Sequence, residues 1–439
     1  MNTQLTRNKV VEIVDSCMGS SKSTNTLKYM DDNPQQRYIY VSPLLSEVDI
    51  DGRVPKALNN IEIFSPTDAN GTKGDHLLEL IKQGCNVCCS HSLYSSLTDQ
   101  HFNQIAIGNY IVIIDEEINV IGGFDNYSDS DIQWLIEKGD VSISDTDGMV
   151  SWVGDKSKIT KDHKYYEFLR CCESGVLYSS KRSSTMMVTQ LPIRLFECAN
   201  RVIILTYLFD NNILNSFLKL KGFDVIQCKD IVPNKVDKKE FVKLLNIIPP
   251  TRKVKQHKLT STWWSEANGD MIKEVKNFTE TTCRSLGVKG DDVLWTVPKD
   301  RAVKQNNHGK ILFKPRGFII DSEGGSCYLS SNIRATNEYA HKTTMVHLIN
   351  RYPLVCVNAY LQDFGCKMNP NVFALSEMLQ WLWRGCIRNK EPMNIVIGSE
   401  RMYWLFMNWL NDYEISPKPI IGKTYLKGKD NEWQVTRVL

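Results

Sequence analysis

Apolar and polar positions alternate along the first part of the chain in short blocks that predict strands and helices in turn. Three runs, IYVS, VCCS and IVIID, are almost continuously apolar, as expected for strands of a parallel sheet that is covered on both faces. Stretches with helical patterns lie between them, over residues 21–30 and near residues 77–83. This alternation of strands and helices predicts a doubly wound α/β domain.

The pattern changes after Gly123. The segment DVSISDTDGMVSWVGD predicts a β-hairpin that turns at Asp147 and Gly148, and residues 164–173 have a helical pattern. We interpret residues of about 124–195 as an insertion of a β-hairpin and helices in the first domain. The buried strand RVIILTYLF then returns as the last strand of that domain.

The second half of the chain begins with a basic, less regular region and then alternates again between strands and helices. A helix is expected through Leu348 and another across MLQWLWRGCIRNK, followed by the strand MNIVIGS and the helix SERMYWLFMNWLNDY. We therefore predict a second α/β domain. Its boundary with the first is expected within residues 208–235, so that the domains comprise residues 1–210 and 211–439.

The composition is that of an ordinary globular protein, with 439 residues, 42% hydrophobic and 23% charged. A net charge of +3 is too small to identify a partner by itself. No apolar run approaches the roughly 18 residues that span a bilayer, and the polar N-terminus is unlike a signal peptide. We therefore expect no membrane partner. Cysteines such as Cys17, Cys88 and Cys198 lie in apolar contexts, as reduced core thiols do, so we expect a cytoplasmic protein.

The segment MGSSKST, residues 18–24, follows the strand VVEIV and opens a helix. Phosphate binding needs backbone N–H groups at a helix N-terminus, a lysine for the phosphates and a hydroxyl for Mg²⁺. Ser16 and Ser21 stand where the standard pattern has glycine, so a Ser/Thr-capped helix without a ligand is the alternative. The residues that this segment predicts for ATP binding are Gly19, Ser20, Ser21, Lys22, Ser23 and Thr24, with Ser23 also a ligand of Mg²⁺.

The strand YIVII ends in the acidic residues Asp115, Glu116 and Glu117. Carboxylates in this position lie at the carboxyl edge of a sheet, where α/β proteins bind ligands. Asp115 would hold Mg²⁺ and Glu116 would orient and activate the attacking water. A solvated acidic turn is the alternative, but a phosphate-loop candidate about 90 residues earlier favours an ATPase of the P-loop class.

The segment QWLWRGCIR carries a third candidate group. If it is one helix, Gln380, Arg384 and Arg388 recur at every fourth position and project from one face. Such a stripe suits the stabilisation of charge in a phosphoryl-transfer transition state. A solvated basic face is the alternative.

The order of these segments resembles the motif order of superfamily-two (DEAD/DEAH-like) helicases. SPLL at 42–45, SHSL at 90–93 and DEE at 115–117 follow the phosphate loop as the first-lobe motifs do. LTYLFD, NIRATNEY and QWLWRGCIR are similar to later motifs of the family. More narrowly, the C-terminal segments resemble DEAD/DEAH-box helicases encoded by phages and prophages of Gram-positive bacteria.

The resemblance implies two RecA-like lobes that bind ATP and Mg²⁺ and move along single-stranded or forked nucleic acid, with DNA expected rather than RNA. It implies catalytic roles for Glu116, Gln380, Arg384 and Arg388, and phage replication proteins as further partners. The residues that it implies for contacts with the nucleic acid are Ser42, Ser90, His91, Thr206 and Thr336.

Two other interpretations stay open at this stage. A nucleic-acid-binding replication or recombination factor with a degenerate nucleotide site would account for Ser21 in the loop. A small-molecule kinase fits the phosphate loop but not a second α/β domain. Trp263 and Trp264 are either stacking platforms for bases or core aromatic residues.

Overall fold

A computed structural model describes residues 9–68, 71–302, 313–331, 338–429 and 432–437 of the protein. The chain forms two compact units. The first comprises the chain up to Cys17, Ser21–Asn234 and Pro353–Asn369. The second comprises Met18–Ser20, Lys235–Tyr352 and the chain from Pro370. Among the described residues, no helix is both long enough and apolar enough to cross a membrane.

The first unit is built on a parallel sheet whose strands lie in the order β12-β1-β11-β5-β2-β4-β3. The central strands β2 and β5 are buried at every position, which explains their almost continuous apolar sequence. Numbered in chain order, the strands of this sheet are β1 (Val10–Asp15), β2 (Tyr38–Ser42), β3 (Ile63–Phe64), β4 (Asn86–Ser90), β5 (Ile111–Asp115), β11 (Arg201–Thr206) and β12 (Asp224–Gln227).

The prediction that RVIILTYLF is the last strand of this sheet is wrong, because β12 follows it and pairs in parallel with β1. Three of the four residues of β12 are exposed, so its sequence lacks the apolar run by which the buried strands were recognised. An edge strand of four residues is therefore hard to detect from sequence pattern alone.

The helices of the first unit follow the usual amphipathic pattern. In the helix that begins at Lys73, a capping box of Thr72 and Asp75 closes the N-terminus, and Leu77, Leu80 and Ile81 are buried. The helices are α1 (Lys22–Asp31), α2 (Leu45–Val48), α3 (Arg53–Lys56), α4 (Lys73–Lys82), α5 (His91–Ser95), α6 (Asp99–Ile107), α7 (Asp129–Glu137), α8 (Tyr166–Glu173), α9 (Arg194–Glu197), α10 (Ile213–Leu220) and α15 (Val355–Asp363).

The expected insertion contains the predicted hairpin, formed by β7 (Val141–Ile143) and β8 (Val150–Trp152). Gly148 has φ +76° at the turn, a conformation that glycine adopts without strain. A small antiparallel sheet accompanies the hairpin, with β10 (Ser183–Gln190) between β6 (Ile121–Gly123) and β9 (Leu177–Ser180). Aromatic side chains of Phe124, Trp152 and Phe168 form the core of this part.

The second unit has its own parallel sheet, in the order β13-β16-β15-β14. The protein therefore has an α/β fold with two lobes, each built on its own parallel sheet, as predicted. The strands are β13 (Leu245–Ile248), β14 (Val293–Thr296), β15 (Thr344–His347) and β16 (Met393–Ile397), and an antiparallel hairpin follows, of β17 (Thr424–Lys429) and β18 (Glu432–Arg437). The helices are α11 (Lys238–Leu244), α12 (Ser261–Glu266), α13 (Gly269–Ser285), α14 (Lys299–Ala302), α16 (Pro370–Leu382) and α17 (Glu400–Leu410).

The helix expected through Leu348 does not form, because Thr344–His347 is the strand β15. All four of its residues are buried, and β15 pairs with β14 on one side and β16 on the other. A short apolar run does not distinguish a buried strand from a buried helix by periodicity, and here the sheet decides.

The helix expected across MLQWLWRGCIRNK, residues 378–390, is also shorter than predicted, because α16 ends at Leu382. Gly385 has an extended conformation, with φ −75° and ψ −175°. A Cβ atom at Gly385 would lie 2.7 Å from Sδ of Met393 and 3.1 Å from the carbonyl oxygen of Lys342. The helix therefore ends where the backbone packs closely against the sheet of the second unit.

We expect Gly385→Ala to lower the free energy of unfolding by about 1–3 kcal/mol, because the added methyl group overpacks a filled site. Gly269→Ala is the matched control. No atom lies within 4 Å of a Cβ atom at Gly269, and alanine is the better residue in the first turn of α13. Chemical unfolding of both variants measures the difference. Equal stability of the two variants would contradict this account of why α16 ends.

Candidate functional site

The loop between β1 and α1 has a conformation suited to binding an anion. Gly19 has φ +81°, and Ser20 is buried with no hydrogen-bond partner for its Oγ among the described residues. The first helical hydrogen bond of α1 runs from the N–H of Asn25 to the carbonyl of Ser21. The N–H groups of Lys22, Ser23 and Thr24 therefore precede the helical hydrogen-bond pattern, at the positive end of the helix dipole.

Ser21 is the N-cap residue of α1 and has a left-handed conformation, with φ +59° and ψ +27°. The standard phosphate-loop pattern has glycine here, and this conformation is one that glycine adopts readily and serine does not. The Oγ of Ser21 accepts a hydrogen bond from Nδ2 of Asn234 at 3.2 Å. Ser21 thus holds a backbone conformation that suits the glycine of the pattern.

Lys22 lies at the centre of the loop. Its Nζ donates hydrogen bonds to the backbone carbonyl oxygens of Ser16 and Cys17. Burial lowers the pKa of Lys22, and the negative charges of Asp115, Asp15 and Glu116 oppose this effect. The ammonium group is therefore surrounded by acceptors and carboxylates at the carboxyl edge of the sheet.

Asp115 ends β5 and is buried, with 7% of its surface exposed. The hydroxyl of Tyr40 donates a hydrogen bond to its Oδ2 at 2.6 Å, and the hydroxyl of Ser23 is close enough to stabilise the charged form of the carboxylate. Burial raises the pKa of Asp115, while the two hydroxyl groups oppose the rise because they stabilise the charged form. The structure thus brings together the two residues that the sequence predicts as ligands of Mg²⁺.

The other two acidic residues of DEE have different surroundings. Glu116 has a left-handed backbone, with φ +61°, a conformation that costs free energy in a residue with a side chain. Glu117 accepts hydrogen bonds from the Oγ1 of Thr206, at 2.8 Å, and from Nδ2 of Asn212. This joins the end of β5 to the end of β11, where Thr206 is buried.

Asp15 is a carboxylate of this edge that sequence reasoning missed. It ends β1, and its Oδ2 accepts a hydrogen bond from the N–H of Phe209 at 3.1 Å. Burial raises its pKa, and the charge of Lys22 opposes the rise. The signal was present, because Asp15 follows an apolar strand in the same way as Asp115 does.

These residues fit Mg²⁺ and a phosphate chain by their chemistry. Mg²⁺ prefers oxygen ligands, and the hydroxyl of Ser23 and the carboxylate of Asp115 provide two that are already adjacent. Lys22 and the N-terminus of α1 provide the positive charge that phosphates require. The first turn of α1, all of which the structure describes, has no acidic residue whose charge would repel a phosphate.

Of the residues predicted to contact nucleic acid, Ser42 is buried and its hydroxyl donates to Oε2 of Glu47 at 3.2 Å. Ser90 caps α5 by accepting from the N–H of Leu93. His91 Nε2 lies 2.9 Å from the carbonyl oxygen of Asp115. Thr336 lies outside the described residues. Ser90 and His91 are half-buried, so they are more accessible than Ser42 and Thr206.

The helical stripe predicted for the second unit does not form, because α16 ends between Gln380 and Arg384. Gln380 is half-buried and its Nε2 lies 3.5 Å from Oγ of Ser376. Arg384 is 5% exposed, whereas Arg388 is exposed on a short 3₁₀ helix. The three residues therefore do not share one helix face, and their catalytic roles stay predictions from the resemblance alone.

Trp263 and Trp264 are both buried in the hydrophobic core of the second unit, and the indole of Trp264 donates to the carbonyl of Leu348 at 3.2 Å. Of the two interpretations of this pair, the structure favours core residues over stacking platforms. The buried indoles leave no ring face for a base.

A family model, one relative and two solved structures are similar to parts or most of the chain. Residues 239–410 match the family described as the YonV C-terminal Rossmann-like domain. The chain is 27% identical over 428 residues to the SPbeta prophage-derived uncharacterized protein YonV of Bacillus subtilis (strain 168). The aligned region covers 92% of this chain and 99% of that relative. The sequence predicted a likeness to proteins encoded by phages and prophages, and this relative is described as prophage-derived.

Two solved structures also resemble the chain. They are named XPD_APO, with 14% identity and a TM-score of 0.48, and XPD_Helicase, with 12% identity and a TM-score of 0.45. Each match covers 93% of this chain and 96% of the other. TM-scores below 0.5 do not establish a common function. The DEAD/DEAH features of the sequence stay a prediction.

We expect Ser21→Gly to raise the free energy of unfolding by about 0.5–1 kcal/mol, because glycine adopts the left-handed conformation without strain. The gain in stability is limited because glycine cannot accept the hydrogen bond that Asn234 donates to the Oγ of Ser21. Thr24→Gly is the matched control, since Thr24 is helical and glycine there should lower stability by up to about 1 kcal/mol. Thermal unfolding of both variants and of the wild-type protein measures these changes in stability. A loss of stability in Ser21→Gly would show that the serine side chain contributes more than its conformation costs.

Proposed function

We propose that this protein is an ATP-dependent nucleic-acid helicase or translocase of the superfamily-two type. The observation that carries the proposal is the meeting of the two sequence motifs at one sheet edge. The hydroxyl of Ser23, which follows the loop after β1, is close enough to Asp115, at the end of β5, to stabilise the charged carboxylate. The charge of Lys22 acts on the same carboxylate. Lysine, hydroxyl and carboxylate in this arrangement are what Mg²⁺-dependent nucleotide hydrolysis needs.

Each residue has a separate role in the proposal. Lys22 and the N–H groups at the start of α1 bind the β- and γ-phosphates, and Ser23 and Asp115 hold Mg²⁺. Mg²⁺ neutralises negative charge on the phosphates when it is bound. Glu116 orients the attacking water and takes up its proton. Glu117, held by Thr206 and Asn212, joins this edge to the loop after β11.

The nucleic-acid partner and a role in the replication or recombination of phage DNA both follow from the resemblance to phage and prophage helicases, and the prophage-derived relative fits that setting. Single-stranded or forked DNA is the proposed track, and the host cytoplasm is the proposed location. Phage replication proteins are proposed as further partners. Among the proposed contacts, His91 is hydrogen-bonded to the backbone carbonyl of Asp115, and Thr206 to the carboxylate of Glu117, so both adjoin the proposed nucleotide site.

A second function has one observation in its favour. Ser21 and Glu116 both hold left-handed conformations that cost free energy in residues with side chains. A protein that binds nucleic acid and has lost rapid hydrolysis could retain such a loop. This replication or recombination factor would bind single-stranded DNA in the same way with and without ATP.

We expect Lys22→Ala to abolish ATP hydrolysis, because the phosphates lose their main cationic partner. Lys28→Ala is the matched control, since Lys28 lies on the same helix and is exposed. Steady-state ATPase assays with and without single-stranded DNA or RNA measure both variants. The control should keep wild-type turnover and thermal stability, whereas Lys22→Ala also loses the hydrogen bonds to the carbonyls of Ser16 and Cys17, so thermal unfolding verifies that it is folded.

Wild-type turnover in Lys22→Ala would contradict the phosphate-loop assignment. No hydrolysis by the wild-type protein under any of these conditions, with intact binding to single-stranded DNA, would favour the second function. Hydrolysis that nucleic acid does not change would argue against movement along a strand.

For the second unit, we expect Arg388→Ala to lower turnover without changing stability, because Arg388 is exposed. Arg384→Ala should lower turnover and stability together, since 5% exposure makes it part of the packed interior. Arginine fingers contribute about 10³-fold or more to turnover. Unfolding curves beside ATPase assays separate the two effects. Normal turnover in Arg388→Ala would remove this residue from the catalytic set.

A further inference from the structure

A chain of polar contacts leads from the end of β2 to Asp115. The hydroxyl of Ser42 donates to Oε2 of Glu47 at 3.2 Å. The guanidinium of Arg53 donates to the same carboxylate, from Nη2 at 3.0 Å and from Nε at 3.4 Å. Nη2 of Arg53 also lies 3.8 Å from Oδ2 of Asp115. One guanidinium thus lies between two carboxylates, and the second of these is the proposed ligand of Mg²⁺.

The backbone is built to hold Arg53 in this position. Gly52 precedes α3, and a Cβ atom there would lie 2.4 Å from the carbonyl oxygen of Glu47. Only glycine allows this close approach, which brings α3 beside α2 and Arg53 beside Glu47. The buried hydroxyl of Tyr40 donates a hydrogen bond to the same Oδ2 of Asp115 at 2.6 Å. The carboxylate therefore cannot turn away from Arg53 without breaking that hydrogen bond.

The two carboxylates differ in how firmly they hold the guanidinium. Glu47 accepts two hydrogen bonds from Arg53, whereas Asp115 is within ion-pair distance only. The side chain of Arg53 is 39% exposed, so it has room to move. A cation beside a metal ligand repels the metal ion, and a carboxylate that holds this cation relieves the repulsion.

We infer that Glu47 and Arg53 form a positioning pair that sets the affinity of Asp115 for Mg²⁺. Arg53 neutralises the buried carboxylate in the absence of metal, and Glu47 holds the guanidinium when Mg²⁺ binds. Tyr40 keeps the carboxylate in place in both states. The inference rests on the proposed function, because it takes Asp115 as a ligand of Mg²⁺.

The two halves of the pair have opposite effects, which separates this role from a merely structural one. Arg53→Ala removes a cation beside the metal, so binding should need less Mg²⁺. Glu47→Gln leaves Arg53 with Asp115 as its charged partner, so binding should need more Mg²⁺. If the salt bridge only stabilised α2 and α3, the Mg²⁺ concentration needed for binding would shift in the same direction in both variants.

The experiment measures the Mg²⁺ concentration that gives half-maximal binding of a fluorescent ATP analogue to the full chain. We expect this midpoint to fall about threefold in Arg53→Ala and to rise about threefold in Glu47→Gln, as befits a partly exposed ion pair. Arg53→Lys keeps the charge and should stay near wild type. Lys56→Ala is the matched control, because Lys56 lies on the same helix and pairs with the exposed Asp51. Thermal unfolding verifies that each variant is folded.

Shifts in one direction for both variants, or no shift relative to Lys56→Ala, would overturn the inference. If the wild-type protein binds no nucleotide, the proposed function itself fails. Mn²⁺ alone, followed by the electron paramagnetic resonance signal of the free ion, then gives the same comparison without nucleotide. Opposite changes in Mn²⁺ affinity would support the pair, and unchanged affinity in both variants would overturn it.

Discussion

A carboxylate buried at the end of a strand keeps its charge only when donors and cations surround it. Asp115 is this group, and the parallel sheet supplies its partners. β2 provides Tyr40, and the loop after β1 provides Ser23 and Lys22. These contacts form because β1, β2 and β5 all end at the same edge. The candidate site is therefore a consequence of strand direction and order.

The sequence predicted those parts of the site that adjoin long apolar strands. The strands IYVS and IVIID lie in the centre of the first sheet, and the helix after the phosphate loop begins at Lys22. The phosphate loop with Ser23 and the acidic strand end at Asp115 were therefore recognisable, although Asp15 at the end of β1 was missed. The left-handed conformation of Ser21 was not, because local pattern does not report backbone angles of single residues.

Features that depend on tertiary packing escaped sequence reasoning. α16 stops before Gly385 because the sheet leaves no room for a side chain there, which no helical periodicity reveals. β15 resembles a buried helix until β14 and β16 are seen beside it. Arg53 and Asp115 are 62 residues apart in the sequence (115 minus 53). They lie within ion-pair distance because α3 approaches α2 closely at Gly52.

The central claim is that Ser23 and Asp115 hold Mg²⁺ on a nucleotide bound by Lys22. A crystal structure with Mg²⁺ and a non-hydrolysable ATP analogue tests it most directly. We expect the β- and γ-phosphates at the N-terminus of α1, with the ion between the hydroxyl of Ser23 and the carboxylate of Asp115. Nζ of Lys22 should have left the carbonyls of Ser16 and Cys17 for the phosphates. An analogue bound elsewhere, or Lys22 unmoved beside an ordered analogue, would contradict the account.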